Sequence, residues 1–115
     1  MAVREFRDDN GDRDDDFLAW LAANPGGYVI NILRSYSVSG ARLHRASCRT
    51  INGQNPGGGK WIGQYAKVCA PDPAEIDQWA VDRLGEPIVR CGICHPKELT
   101  HNAFRQATAR ARRSP

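Results

Sequence analysis

The residue types best suited to chemistry in this chain fall into two short pairs, His44-x-x-x-Cys48 and Cys91-x-x-Cys94. Three thiols and one imidazole are soft and borderline donors, and four such donors are what a tetrahedral structural Zn2+ site requires. In a C-x-x-C turn two thiolates converge on one ion. Gly92 is expected to permit the tight backbone there, with Ile93 outward or against the core. The four-residue step from His44 brings Cys48 alongside it if a helical turn begins after a strand, so that both side chains project the same way. A redox role for Cys91 and Cys94 lacks the thioredoxin-like βαβ surroundings such chemistry uses. Cys69 reads as a buried free cysteine, although it could replace His44 in a four-cysteine site. His95 is the other substitute for His44, and His101 reads as solvated on a last helix.

The elements that must position these residues can be read along the chain. Asp14–Asp16 are suited to cap a short helix bearing Phe17, Leu18, Trp20 and Leu21, which Asn24-Pro25-Gly26-Gly27 stops. Residues 28–34 are β-branched and mostly apolar, and with 41–44 they predict a hairpin. Asn52–Gly59 is a loop, and its glycines beside Lys60 miss the phosphate-loop spacing because Trp61 follows. A strand is expected over Trp61–Ala70. Asp72-Pro73-Ala74-Glu75 predicts a capped helix with a capping box, carrying Ile76, Trp79, Ala80 and Leu84 inward and ending at Gly85. Pro87–Arg90 is an extended lead into Cys91, and Pro96 is suited to open a basic C-terminal helix.

These elements amount to a small zinc-stabilised α+β domain, with a short antiparallel sheet, two flanking helices and the basic C-terminal helix. The acidic opening, residues 1–13, lacks apolar periodicity and is expected to be disordered, leaving 14–115 as a single domain. With 115 residues, 41% apolar and 25% charged, the chain is too short for two ordinary domains. In so small a domain a bound ion contributes folding free energy, on the order of 10 kcal/mol for zinc-finger peptides. No apolar run approaches the ~20 residues that span a bilayer. The acidic start does not suit a signal peptide, so a cytoplasmic location is expected.

The net charge of +3 is unevenly distributed. Residues 1–16 hold seven acids against three arginines, whereas no Asp or Glu occurs between Asp16 and Asp72. Arg34, Arg42, Arg45, Arg49, Lys60 and Lys67 all lie in that acid-free stretch, interleaved with Tyr28, Tyr36, Trp61 and Tyr65. This is the pattern of a surface that meets phosphate, although cations on hairpin edges can instead serve to block edge pairing.

Leu-His44-Arg-Ala-Ser-Cys48-Arg, a spacer, and then Val-Arg90-Cys91-Gly-Ile-Cys94-His-Pro96 resemble the metal-binding module of the Ada DNA-repair protein and small Ada-like zinc modules attached to bacterial nucleases. The resemblance spans roughly residues 41–96 and resides in the ligand spacing. In Ada all four ligands are cysteines, and one zinc-bound thiolate accepts a methyl group from a DNA phosphotriester. Here His44 replaces the first cysteine, which lowers the thiolate charge available for that transfer to Cys48, Cys91 or Cys94. The nuclease-associated modules imply a noncatalytic accessory to DNA processing. The expected partner is therefore nucleic acid, DNA favoured, bound through the basic surface. The alternative is a zinc-stabilised adaptor that docks a protein through its acidic head or basic tail. A metallohydrolase would need a carboxylate base, yet Glu86 and Glu98, the nearest acids, lie in no metalloprotease motif.

Overall fold

The computed structural model describes residues 3–48, 50–51 and 61–94. Four strands and two helices follow one another as β1 (Arg4–Phe6), α1 (Asp14–Ala23), β2 (Tyr28–Leu33), β3 (Arg42–Arg45), β4 (Tyr65–Ala70) and α2 (Pro73–Leu84), with a 3-10 turn at Asp8–Asn10. The strands form one antiparallel sheet in the order β1-β4-β2-β3. The expected α+β class, antiparallel sheet and two flanking helices are present. The loop expected over Asn52–Gly59 and the expected C-terminal basic helix lie outside the described residues. Among the described residues no helix is long and apolar enough to cross a membrane.

Strand β2 is apolar at nearly every position because both faces of the sheet are covered. Tyr28, Ile30 and Ile32 join Leu43, Ala66, Val68 and Ala70 against Ile76, Trp79 and Ala80 of α2. Val29 and Cys69 point the opposite way, into a second core with Phe17 and Leu21 of α1, Ala46, Cys48, Ile51, Ile62 and Cys91. Successive strand residues alternate between faces, so β2 feeds both layers at once.

The acidic opening is ordered from residue 3, contrary to the expected disorder. Arg4, Glu5 and Phe6 pair with Cys69, Val68 and Lys67 at the sheet edge, and Phe6 is buried with its ring edge-on to Phe17 at 5.9 Å. The acids that suggested a solvated tail are matched by cations and amides. Asp12 accepts from the Arg7 amide at 2.9 Å and pairs with Arg4, while Asp8 pairs with Arg34 across the sheet edge. Charge composition alone does not reveal such pairing.

Two helix starts also differ from expectation. Arg13, not an aspartate, holds the cap position of α1, and the Asp16 carboxylate accepts the Arg13 amide at 2.8 Å. Asp14 is thereby free to accept the amides of Trp61 and Ile62, each at 2.9 Å. Residues 61–64 form bends instead of extended strand, with the Trp61 and Ile62 amides held by Asp14, so the strand expected over Trp61–Ala70 is confined to Tyr65–Ala70. In α2, Asp72 caps the Ala74 amide at 2.8 Å with Pro73 in the first turn, and Gly85 ends the helix at φ 84°. The return half of the capping box is not made, and Glu75 Oε2 is buried without a hydrogen-bond partner.

Beyond α2 the chain runs beside β3. The Leu43 amide donates to Val89 O and the Cys91 amide to Leu43 O, both at 2.8 Å, giving a parallel bridge between Leu43 and Arg90. Arg90 reaches back to α2, where its Nη2 lies 2.8 Å from both oxygens of Asp77, a carboxylate 1% exposed. Removing one partner of a buried pair strands the other charge. Arg90→Met is expected to lower unfolding free energy by up to about 3 kcal/mol in urea denaturation, with Asp77→Leu/Arg90→Met losing less than the single variant.

Candidate metal centre

His44 projects from β3 onto the face of the sheet shared with α1, because it pairs directly with Val29, whose side chain belongs to that core. After β3 the chain turns at once. The Cys48 amide donates to Arg45 O at 2.9 Å and the Ile51 amide to Cys48 O at 3.1 Å, which brings the Cys48 thiol back beneath His44. The bridge to Leu43 delivers Cys91 to the same place, and the following turn returns Cys94. The ligand atoms of His44, Cys48, Cys91 and Cys94 all lie within 4.8 Å of one another. In a tetrahedral zinc site, bond lengths of about 2.0 to 2.3 Å place donor atoms about 3.5 to 3.8 Å apart. The cluster is therefore close to closed geometry and could bind a metal ion.

Cys69 lies outside this cluster, for a reason set by the register. Cys69 pairs with Val29, which pairs with His44 on its other side, so two strand spacings, about 9.6 Å, separate Cys69 from His44. It is a fully buried free thiol, as expected, and burial raises its pKa far above the usual value despite nearby Lys67 and Arg4. His95 and His101 lie outside the described residues.

The cluster is buried and its protonation suits ligation. His44 is 7% exposed. Burial, reinforced by the charges of Lys67 and Arg42, pushes its pKa down to about 4, so the imidazole is neutral at pH 7 and keeps a lone pair. Sulfur atoms in the turn accept backbone donors, with the Ile93 amide 3.3 Å from Cys91 Sγ and the Arg45 amide 3.2 Å from Cys94 Sγ. Burial acts to raise the Cys91 thiol, but the amides of Cys94 and Ile93 and the neighbouring Cys94 and Cys48 thiols outweigh it and favour the thiolate. Cys94 is pushed up to about 11, by burial first and by the competing Cys48 and Cys91 thiols, against the Arg45 amide. Without a cation Cys94 resists ionising beside Cys48 and Cys91; a bound cation supplies the missing charge.

Gly92 is not needed for the turn. It lies outside the left-handed region, and a Cβ there would meet no atom within 4 Å. Ile93 is 54% exposed, resolving its expected position as outward. One neighbour of the cluster is not apparent from the sequence. The Thr50 hydroxyl lies 3.0 Å from Cys48 Sγ and 3.3 Å from His44 Nδ1. Its only sequence signal is a hydroxyl two residues beyond a candidate ligand.

The expected cationic surface is divided by the fold. Arg42 is exposed on β3 next to His44, its Nη1 donating to Ala41 O at 2.7 Å. Arg45 is half-buried, its Nε donating to Cys94 O at 2.9 Å, so it clasps the metal turn. Arg34 remains exposed but is paired with Asp8. Lys67 is not a surface cation. It is 3% exposed and donates at 2.6 Å to both Asn31 Oδ1 and Trp61 O. Burial lowers its pKa to about 8, opposed by Cys69 and Asp14. Arg49 and Lys60 lie outside the described residues.

No protein-family model, no curated protein and no solved structure matches this chain. The functional reading therefore rests on the site itself. Metal binding to protonated thiols must displace protons. Metal affinity is accordingly expected to fall by more than about tenfold per pH unit below neutrality, as more than one ligand reprotonates, measured by competition with a chelator across pH 5 to 8.

Proposed function

We infer that this protein is a noncatalytic module in which a structural Zn2+ ion, held by His44, Cys48, Cys91 and Cys94, fixes a surface that binds nucleic acid, DNA in preference. The convergence of the four donors carries the reading. Three thiolates and an imidazole suit a borderline-soft ion without geometric preference, and four protein ligands leave no open position for a substrate. Elemental analysis of reduced, purified protein is expected to find one zinc per chain, lost in His44→Ala and in Cys91→Ala. Absence of metal from the reduced wild type would remove the zinc reading.

Support for nucleic acid comes from the placement of cations at the rim of the site. Arg42 is exposed two residues before His44 on β3, and half-buried Arg45 follows His44 directly, within a stretch of sequence that contains no acid from residue 17 to 71. Exposed arginine contributes affinity chiefly through phosphate. The resemblance to Ada-type modules that accompany DNA-processing enzymes supports the same direction. Anisotropy titrations with duplex DNA are expected to give a log affinity that falls linearly with log salt. The slope should shrink by about one for each phosphate that Arg42→Gln or Arg45→Gln no longer neutralises. A slope identical to wild type in both variants would count against this surface.

A protein-binding adaptor is favoured by a different observation. Val89 and Ile93, two residues either side of Cys91, are 59% and 54% exposed, and exposed apolar side chains beside the turn suit a protein partner. In that case binding would be insensitive to salt and abolished by Val89→Asp or Ile93→Asp.

A further inference from the structure

Thr50 touches two of the four candidate ligands at once, and the number of protons available constrains how. Its Oγ1 is 3.0 Å from Cys48 Sγ and 3.3 Å from His44 Nδ1. A hydroxyl has one proton to donate and otherwise accepts. In a metal-loaded site Cys48 is a thiolate, which can only accept, so the Thr50 proton is directed at Sγ. The hydrogen bond with His44 must then be donated by the imidazole, from Nδ1–H to Thr50 Oγ1. A neutral imidazole carries a single ring N–H proton, and with that proton on Nδ1 the lone pair is left on Nε2.

We propose that Thr50 selects the tautomer of His44 in the loaded centre, holding the proton on Nδ1 so that Nε2 is the atom offered to the ion. Thr50 is thus a positioning residue, acting through the chain Nδ1–H to Oγ1–H to Sγ. Histidine ligands characteristically donate their remaining ring N–H to an oxygen that fixes tautomer and orientation. Here that oxygen also donates to a second ligand, so orienting the imidazole and dispersing charge on the Cys48 thiolate are tasks of one group. The proposal rests on the metal reading given above.

The test uses the full chain loaded with Zn2+ and labelled with 15N. Long-range proton–nitrogen correlations of the imidazole assign which ring nitrogen carries the proton. The expected pattern for His44 is a protonated Nδ1 and a metal-bound Nε2. Thr50→Val, which keeps the shape and removes the hydroxyl, is expected to weaken Zn2+ binding by about ten- to one-hundredfold in chelator competition and to lose the single tautomer. Thr50→Ser is expected to restore both. Coordination through Nδ1 in the wild type would overturn the proposal, as would a Thr50→Val protein with wild-type affinity and tautomer. Failure of the wild type to take up Zn2+ at all would instead overturn the metal reading itself, and the proposal with it.

Discussion

The two backbone hydrogen bonds of Leu43 are the constraint on which the site depends. Through them the chain that follows α2 is laid beside β3 as a parallel neighbour, which brings Cys91 next to a strand nearly fifty residues earlier. Leu43 buries its side chain on the α2 face, and His44, the next residue, therefore points to the α1 face. A slip of one residue in the pairing of β2 with β3 would turn His44 into the wrong core and take one donor from the cluster. The register is protected by burial on both faces, since a slip would exchange Leu43 with charged Arg42 or with His44.

The site is also tied to the rest of the domain by charge. Asp77 on α2 and Arg90 beside the metal turn form an ion pair that spans from one core layer to the segment serving the other. On the α1 face, Asp14 accepts the amides of Trp61 and Ile62, and Lys67, itself bonded to Asn31 Oδ1, donates to Trp61 O. Polar groups buried in this way are tolerated because each meets a partner of opposite character. Burial first, and then the charges of Lys67 and Arg42, keep His44 neutral, which leaves a lone pair available at the cluster.

Much of this was legible in residue types and spacing. The paired His/Cys and Cys/Cys steps identified the four residues that converge, and Asp72, Pro73 and Gly85 marked both ends of α2, because capping chemistry is local. What escaped was nonlocal. Asp14 resembles a helix cap in sequence, yet its carboxylate serves amides forty-seven and forty-eight residues away. Lys67 resembles a surface cation, yet a cross-strand asparagine and a carbonyl draw it inside. The opening acids resemble a solvated tail, yet a single buried aromatic, Phe6, and an unpaired edge on β4 recruit them into the sheet. Thr50 offers only a hydroxyl two residues beyond Cys48 until the turn after β3 closes.

The anchoring of Ile51 and Trp61 bears on how this domain could diversify. Ile51 is packed in the core beneath the cluster, and the Trp61–Ile62 peptides are secured by Asp14 and Lys67. The spacing from Ile62 to Cys94 is held by strand, helix and bridge, so a change of length within it would draw Cys91 and Cys94 away from His44 and Cys48.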